Sequence, residues 1–139
     1  MNVITFGIAP GEEHGAQAIT PCVDGERLDL LVERFEQKAG FDPAGGYGGL
    51  VPEYRRFCPM EAYFGAGGEV GNPVAVLACS CGEVGCWPLE VAIQRIGDTY
   101  RWTNFRQPHR PRRDYAAFGP LVFDACQYEA ELRLLGSRL

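Results

Sequence analysis

The sequence has no run of about 18 apolar residues, the length a helix needs to cross a bilayer. Its opening, MNVITFGIAPGEE, lacks the basic flank and long apolar stretch of a secretory signal. A cytoplasmic location and no membrane partner are therefore expected. Histidine is scarce, with two in 139 residues. Neither stands near a strand-to-helix nucleophile turn, so no serine, histidine and acid set can be assembled and hydrolase chemistry has little support. The glycine-dense stretch Gly45-Gly46-Tyr47-Gly48-Gly49 has no P-loop lysine and no strand-to-helix setting, and reads as a flexible loop. Positive charge is not in excess either. Thirteen basic residues against eighteen acidic give a net charge of -5, the wrong overall sign for a general binder of nucleic acid. There is no internal repeat, no low-complexity segment and no shift of composition that would mark a second domain.

What is present is a chain 46% hydrophobic, 22% charged and 12% aromatic, inside the globular range. At this length roughly 70% of the unfolded chain's surface is buried on folding, so a core can form without disulfides or metal. One domain over 1–139 is expected. Val3 to Ile8 reads as a strand, a turn-forming run from Pro10 to Gly15 follows, and Ala18 to Val23 returns as the second arm of a hairpin. Asp24 is placed to cap a helix whose Leu28, Leu31, Val32 and Phe35 recur at helical spacing until Gly40 stops it. Between Gly40 and Pro73 glycines and prolines predict a long ordered loop with room for one short helix, anchored by the aromatics of Tyr54 to Phe64. Val74 to Cys81, Trp87 to Ile96 and Thr99 to Phe105 read as three strands of a meander, the last two joined at Gly97-Asp98. Two prolines prevent 107–113 from continuing a central strand, and Tyr115 to Phe123 is apolar again. Asp124 then caps a final helix with Tyr128, Leu132 and Leu135 as its buried stripe and Gly136 as its end. The class is α+β: one domain, an antiparallel sheet with a three-stranded meander in its C-terminal half, and helices packed on one face.

The chemical signal is the cysteine distribution. Of six cysteines, three fall within Cys79-Ser80-Cys81-Gly82-Glu83-Val84-Gly85-Cys86, while Cys22, Cys58 and Cys126 stand apart and read as small buried hydrophobes. A turn centred between Gly97 and Asp98 makes paired residues of the second and third meander strands sum to 195, which sets Cys86 facing His109. A first turn centred between Gly82 and Glu83 gives a sum of 165 and sets Cys79 opposite Cys86. Alternation then separates Trp87, Leu89, Val91 and Ile93 from the thiols, which lie on the other face. Three thiolates and an imidazole are a common tetrahedral set for structural zinc. The expected metal ligands are accordingly Cys79, Cys81 and Cys86, with His109 or a cysteine from elsewhere as the fourth. Two other readings stay open: reduced, partly buried, inert thiols, or a reversible disulfide drawn from Cys79, Cys81 and Cys86.

Arg101, Arg106, Arg110, Arg112 and Arg113 crowd a short stretch that also holds Trp102, Phe105, His109 and Tyr115. A solvated loop accounts for them. As a contact surface, with Arg106, Arg110, Arg112 and Arg113 as the partner-binding residues, an acidic protein suits the overall charge better than nucleic acid does. All of Arg110, Arg112 and Arg113 are expected at the surface.

The segment from Cys79 to Leu89 resembles an uncharacterised family of small bacterial proteins carrying Cys-x-Cys-Gly-x-x-Gly-Cys-Trp-Pro-Leu. Trp102 to Phe105, Gln107-Pro108-His109-Arg110, Phe118-Gly119-Pro120-Leu121-Val122-Phe123-Asp124 and Gln127-Tyr128-Glu129 look like its later motifs in the same order. The resemblance implies no activity, and it groups His109 with the cysteines. The expected function is a small, non-enzymatic, zinc-binding domain acting through protein interaction, adaptor or immunity-like. The alternative is a thiol-based redox enzyme or sensor.

Overall fold

Strand alternation and helical spacing account for most of the frame seen in the computed structural model, which describes residues 1–10, 17–51, 63, 73–79 and 87–138. Ile4–Pro10 (β1) runs antiparallel to Gln17–Val23 (β2), with Ile4 opposite Val23 and Pro10 opposite Gln17. Every second residue of β2 from Ile19 to Val23 is buried, which leaves Cys22 on the outward side and only half-buried.

Asp24 does not cap the first helix. Asp24 and Gly25, with φ of 54° and 82°, form a two-residue turn into Glu26–Arg27 (β3), which folds back onto β2. Tight hairpin turns favour Asp-Gly because both central residues need positive φ. The carboxylate instead accepts the Val3 N–H at 2.8 Å and Asn2 Nδ2 at 2.7 Å. The helix α1, Leu28–Ala39, begins after Arg27 with no side-chain cap and ends at Gly40 in the left-handed conformation.

The larger sheet has the order β4 (Tyr47–Gly48), β5 (Val74–Cys79), β6 (Leu89–Ile96), β7 (Thr99–Arg106) and β8 (Leu121–Asp124), antiparallel throughout. Its centre is the expected meander. Leu89, Val91 and Ile93 are at most 3% exposed, and Trp87 is half-buried against the same core. From Ile96 opposite Thr99 to Ala92 opposite Thr103 the pairing follows the sum of 195, and Val74 opposite Val91 follows that of 165.

Both registers then slip by one. Leu77, not Val76, lies opposite Leu89, and Glu90 lies opposite Arg106. In β7 the bulge contains Asn104 at φ 56°, the left-handed residue such an irregularity accommodates. The slips keep residues three apart on one face: Val74 with Leu77, and Trp102 with Phe105, which are 0% and 5% exposed. A bulge bends its strand and increases twist, and the two together help curl the sheet. Two seams complete the curl. Asn2 donates its N–H to the Val122 carbonyl at 2.8 Å, and Ile19 and Leu50 exchange backbone bonds of 2.7 and 2.8 Å. Among the described residues, two helices, a three-stranded sheet and a five-stranded sheet thus make one α+β domain shaped as a half-barrel.

The second helix, α2 (Ala125–Arg138), has the expected cap, the Gln127 N–H donating to Asp124 Oδ2 at 3.0 Å, and the expected stripe of Tyr128, Leu132 and Leu135. Gly136 does not end it: the helix runs to Arg138, since one helical glycine costs only about 1 kcal/mol. Cys126 is exposed on the side away from the stripe, so it is not the buried hydrophobe expected. Gln127 uses its amide as a strand residue would, donating to the Ile4 carbonyl at 2.6 Å and accepting the Ile4 N–H at 3.2 Å. That covers part of the edge of β1. The Tyr128 hydroxyl donates to the Tyr63 carbonyl at 2.8 Å and accepts Trp102 Nε1 at 3.1 Å. Tyr63, fully buried, stacks parallel to Trp102 with centroids 6.1 Å apart. It is the one residue of the expected aromatic anchor that the structure describes; the others lie outside the described residues, as does Cys58.

Candidate functional site

The bulged end of the meander is where β7 leaves the sheet. Pro108 carries no N–H for a ladder, so the chain turns. The Arg110 N–H donates to the Gln107 carbonyl at 2.9 Å, the Arg113 N–H to the Arg110 carbonyl at 3.0 Å, and the His109 N–H to Gln107 Oε1 at 2.9 Å. Gln107 is 1% exposed and its Nε2 has no acceptor among the described residues. These successive turns fold the arginine loop back over Trp87. The Arg110 guanidinium lies over the indole with 3.6 Å from its carbon to the ring centroid, and Arg113 approaches the same ring at 5.8 Å.

Arg113 is not a surface residue. Its side chain is 7% exposed and pairs at 3.3 Å with Glu36, which is completely buried. It also donates to the Pro43 carbonyl at 2.7 Å and sits over Phe41 at 5.1 Å. The sequence places Glu36 at the end of α1, on the line Leu28, Val32, Glu36 that the helix turns inward. A buried carboxylate needs several donors to be tolerated, and they come from three segments. Gly45 N–H donates to Oε1 at 2.8 Å, while the Tyr47 and Tyr115 hydroxyls donate to Oε2 at 2.8 and 2.5 Å. Gly45 meets this requirement with φ at 76°. Burial, then the neighbouring Tyr115 and Glu36, push the Tyr47 hydroxyl pKa well above its ordinary range. Burial and the bond to Glu36 raise that of Tyr115. The cluster ties α1, the loop after it, β4 and the arginine loop into one unit.

The other arginines differ from Arg113 in kind. Arg106 is exposed and pairs with Glu90 at 2.9 Å. Arg112 is exposed and Arg110 half-buried, and neither has an ion pair among the described residues. A cleft of about 470 Å³ opens between Phe41, Asp42 and the loop, with His109, Arg110, Arg112 and Arg113 among its lining residues.

Of the expected zinc ligands the structure places two. Cys79 ends β5, half-buried and opposite Tyr47 of β4. His109 is exposed in the turn after β7. Cys81 and Cys86 lie outside the described residues, and with them the two-cysteine redox pairs. The register that placed Cys79 opposite Cys86 is corrected by the bulge in β5. Past it the pairing advances by one, and Cys79 shares the face of Leu77 and Leu89, not the opposite one. On the other side His109 has left the ladder, so its opposition to Cys86 does not follow either. Among the described residues no group of three or more His, Cys, Asp or Glu side chains is arranged to hold a metal, and no helix is long and apolar enough to cross a membrane.

Glu36 and Tyr47 were absent from the sequence-derived site. The available signal was the spacing of Leu28, Val32 and Glu36, which puts a carboxylate on a buried stripe. Searches of family models, curated proteins and solved structures give no match to this chain.

Proposed function

We propose that the protein is a non-enzymatic interaction module, adaptor or immunity-like, that presents the corner formed by 106–112 to an acidic protein. The observation that carries this reading is the Arg110 guanidinium held at 3.6 Å over Trp87. The loop bearing it is fastened beneath by the buried Arg113–Glu36 pair. A solvated loop needs no such support, whereas an ordered cation loses less entropy when a partner arrives. Zinc held by Cys79, Cys81 and Cys86, with His109 or another cysteine as fourth ligand, belongs to the same proposal. Its support is the donor chemistry, together with the position of Cys79 at the end of one strand and Trp87, the neighbour of Cys86, just before the adjacent antiparallel strand.

Immobilised polyglutamate tests the surface. Binding that weakens with salt and is lost in the Arg110→Gln, Arg112→Gln double variant, with the fold intact and the melting temperature lowered by no more than a few degrees, supports the module; absence of binding at low salt removes the acidic-partner reading. Metal analysis of the untagged protein tests zinc. One equivalent released by thiol modification is expected, and metal-free protein with a fast-reacting thiol would favour the redox alternative instead.

A further inference from the structure

We infer that the cleft between Phe41, Asp42 and the arginine loop is a seat for one carboxylate of an acidic peptide segment, gripped by the in-plane N–H fork of Arg110 with Arg112 beside it. This deepens the interaction reading and rests on it.

Stacking on Trp87 occupies a face of the guanidinium and leaves its edge, which carries the five N–H donors, available. No acceptor for that edge exists among the described residues, although Arg27, Arg34, Arg95, Arg106 and Arg113 each have a carboxylate partner. A planar fork held against an aromatic ring is placed to bind a carboxylate through two parallel hydrogen bonds. The charge of the cleft selects the ligand. Arg113 is cancelled by Glu36, Asp42 offsets one of the two remaining guanidinium groups, and the arginines and acids together leave a single positive charge. That suits a monoanionic carboxylate better than a phosphate dianion, which Asp42 would repel more strongly. Phe41 and the stem of Arg112 supply apolar surface beside the charge, so the segment should carry an apolar residue next to its acid.

The chain offers its own reporter. It has two tryptophans, and Trp102 is fully buried in the core, so a fluorescence change on titration reports Trp87. An end-blocked peptide alternating Glu and Phe should change that signal saturably, and a phosphoserine peptide of the same length and inorganic phosphate should do so less well. Arg110→Gln should weaken binding of the Glu peptide about tenfold or more. Arg110→Lys should weaken it nearly as much, because an ammonium keeps the charge and loses the fork and the stack. Circular dichroism and the melting temperature establish that each variant is folded, and Arg110→Lys leaves the net charge unchanged. Retention of affinity within about twofold in Arg110→Lys, with loss in the Arg110→Gln, Arg112→Gln double variant, would overturn the carboxylate seat while leaving an acidic-partner surface in place. Tighter binding of the phosphoserine peptide would overturn the choice of ligand, and no response to any acidic peptide would remove both the seat and the reading beneath it.

Discussion

The two ends of the β6–β7 pair are built on opposite rules. At the end near Gly97-Asp98 the ladder is regular from Ala92 to Ile96, and the nearby polar atoms serve to finish the core. Trp102 bonds Tyr128, Tyr128 bonds the Tyr63 carbonyl, and Tyr100 bonds Glu129 at 2.6 Å. At the other end both neighbouring registers slip, an asparagine adopts positive φ, a carboxylate is completely buried, and two guanidinium groups remain without acid partners among the described residues. One end turns its polar side chains inward to one another. The other spends structure on holding charge in place. Bulges collect where a strand must re-aim its side chains, and here they coincide with the loop that carries His109 and Arg110.

If that contrast is right, the largest loss of stability comes from the regular end. Trp102→Ala removes a fully buried indole stacked on Tyr63 and leaves the Tyr128 hydroxyl without its donor. A cost of about 4 kcal/mol is expected, read as a fall in the urea midpoint. That is a large fraction of the 5–15 kcal/mol typical of a domain. A loss under about 1 kcal/mol would mean that the core is not centred here.

Glu36→Gln follows closely, at about 3 kcal/mol, because it leaves the Arg113 charge buried without compensation. The two substitutions separate through a second change. Replacing Arg113 with Met in the Glu36→Gln background should recover part of the loss, since the stranded charge is then gone, whereas the same replacement should not help Trp102→Ala. Equal behaviour in both backgrounds would erase the distinction between the two ends.

The regular end was legible in the sequence because its rules are local. Alternation placed Leu89, Val91 and Ile93 inward, helical spacing placed Tyr128, Leu132 and Leu135 inward, and Asp124 announced the start of α2. The bulged end was not, because a register slip depends on the curvature of the whole sheet and leaves no periodic mark. Extrapolating a regular ladder through Ala75 and Glu90 carried Cys79 to the wrong face. Arg113 was misread for a related reason. In sequence it is one arginine among neighbours, and only the arrival of Glu36 from 77 positions away makes it structural. The Asp24 turn is different again: Asp-Gly was a local signal for a hairpin that competed with a helix cap and won.

Alkaline titration reaches the buried carboxylate of the bulged end with a smaller effect. Burial is the leading cause that raises the pKa values of Tyr47, Tyr115, Tyr63 and Tyr128 above 10.0, and at Tyr47 and Tyr115 the hydrogen bonds to Glu36 add to it. A raised value means that the folded state keeps a proton the unfolded state releases. The contribution is therefore complete below pH 10 and declines as pH rises from there toward the folded pKa. Each such tyrosine steepens the decline by about 1.4 kcal/mol per pH unit. Tyr47→Phe should remove one tyrosine's share from the slope of urea stability measured between about pH 9 and about pH 12. An unchanged slope would show that the hydroxyl is not held protonated beside Glu36.

The smallest effects discriminate most finely, because they fall within a single loop. Arg112 is exposed and unpaired among the described residues, so Arg112→Gln should alter stability by no more than about 0.5 kcal/mol. Arg110→Gln gives up a cation–π contact with Trp87 and should cost about 1 kcal/mol. Arg113→Gln should exceed both, since it strips a buried carboxylate of its counter-charge. For binding of an acidic probe the order changes: Arg110 should matter most, Arg112 next, and the double substitution of the two should leave the fold nearly intact. Stability and binding therefore rank the same three arginines differently. If the two rankings coincide, with Arg113→Gln weakening binding only as far as it unfolds the protein and Arg110→Gln doing no more, the corner is a structural joint and the distinction drawn between the two ends of the strand pair fails at the residues that matter to it.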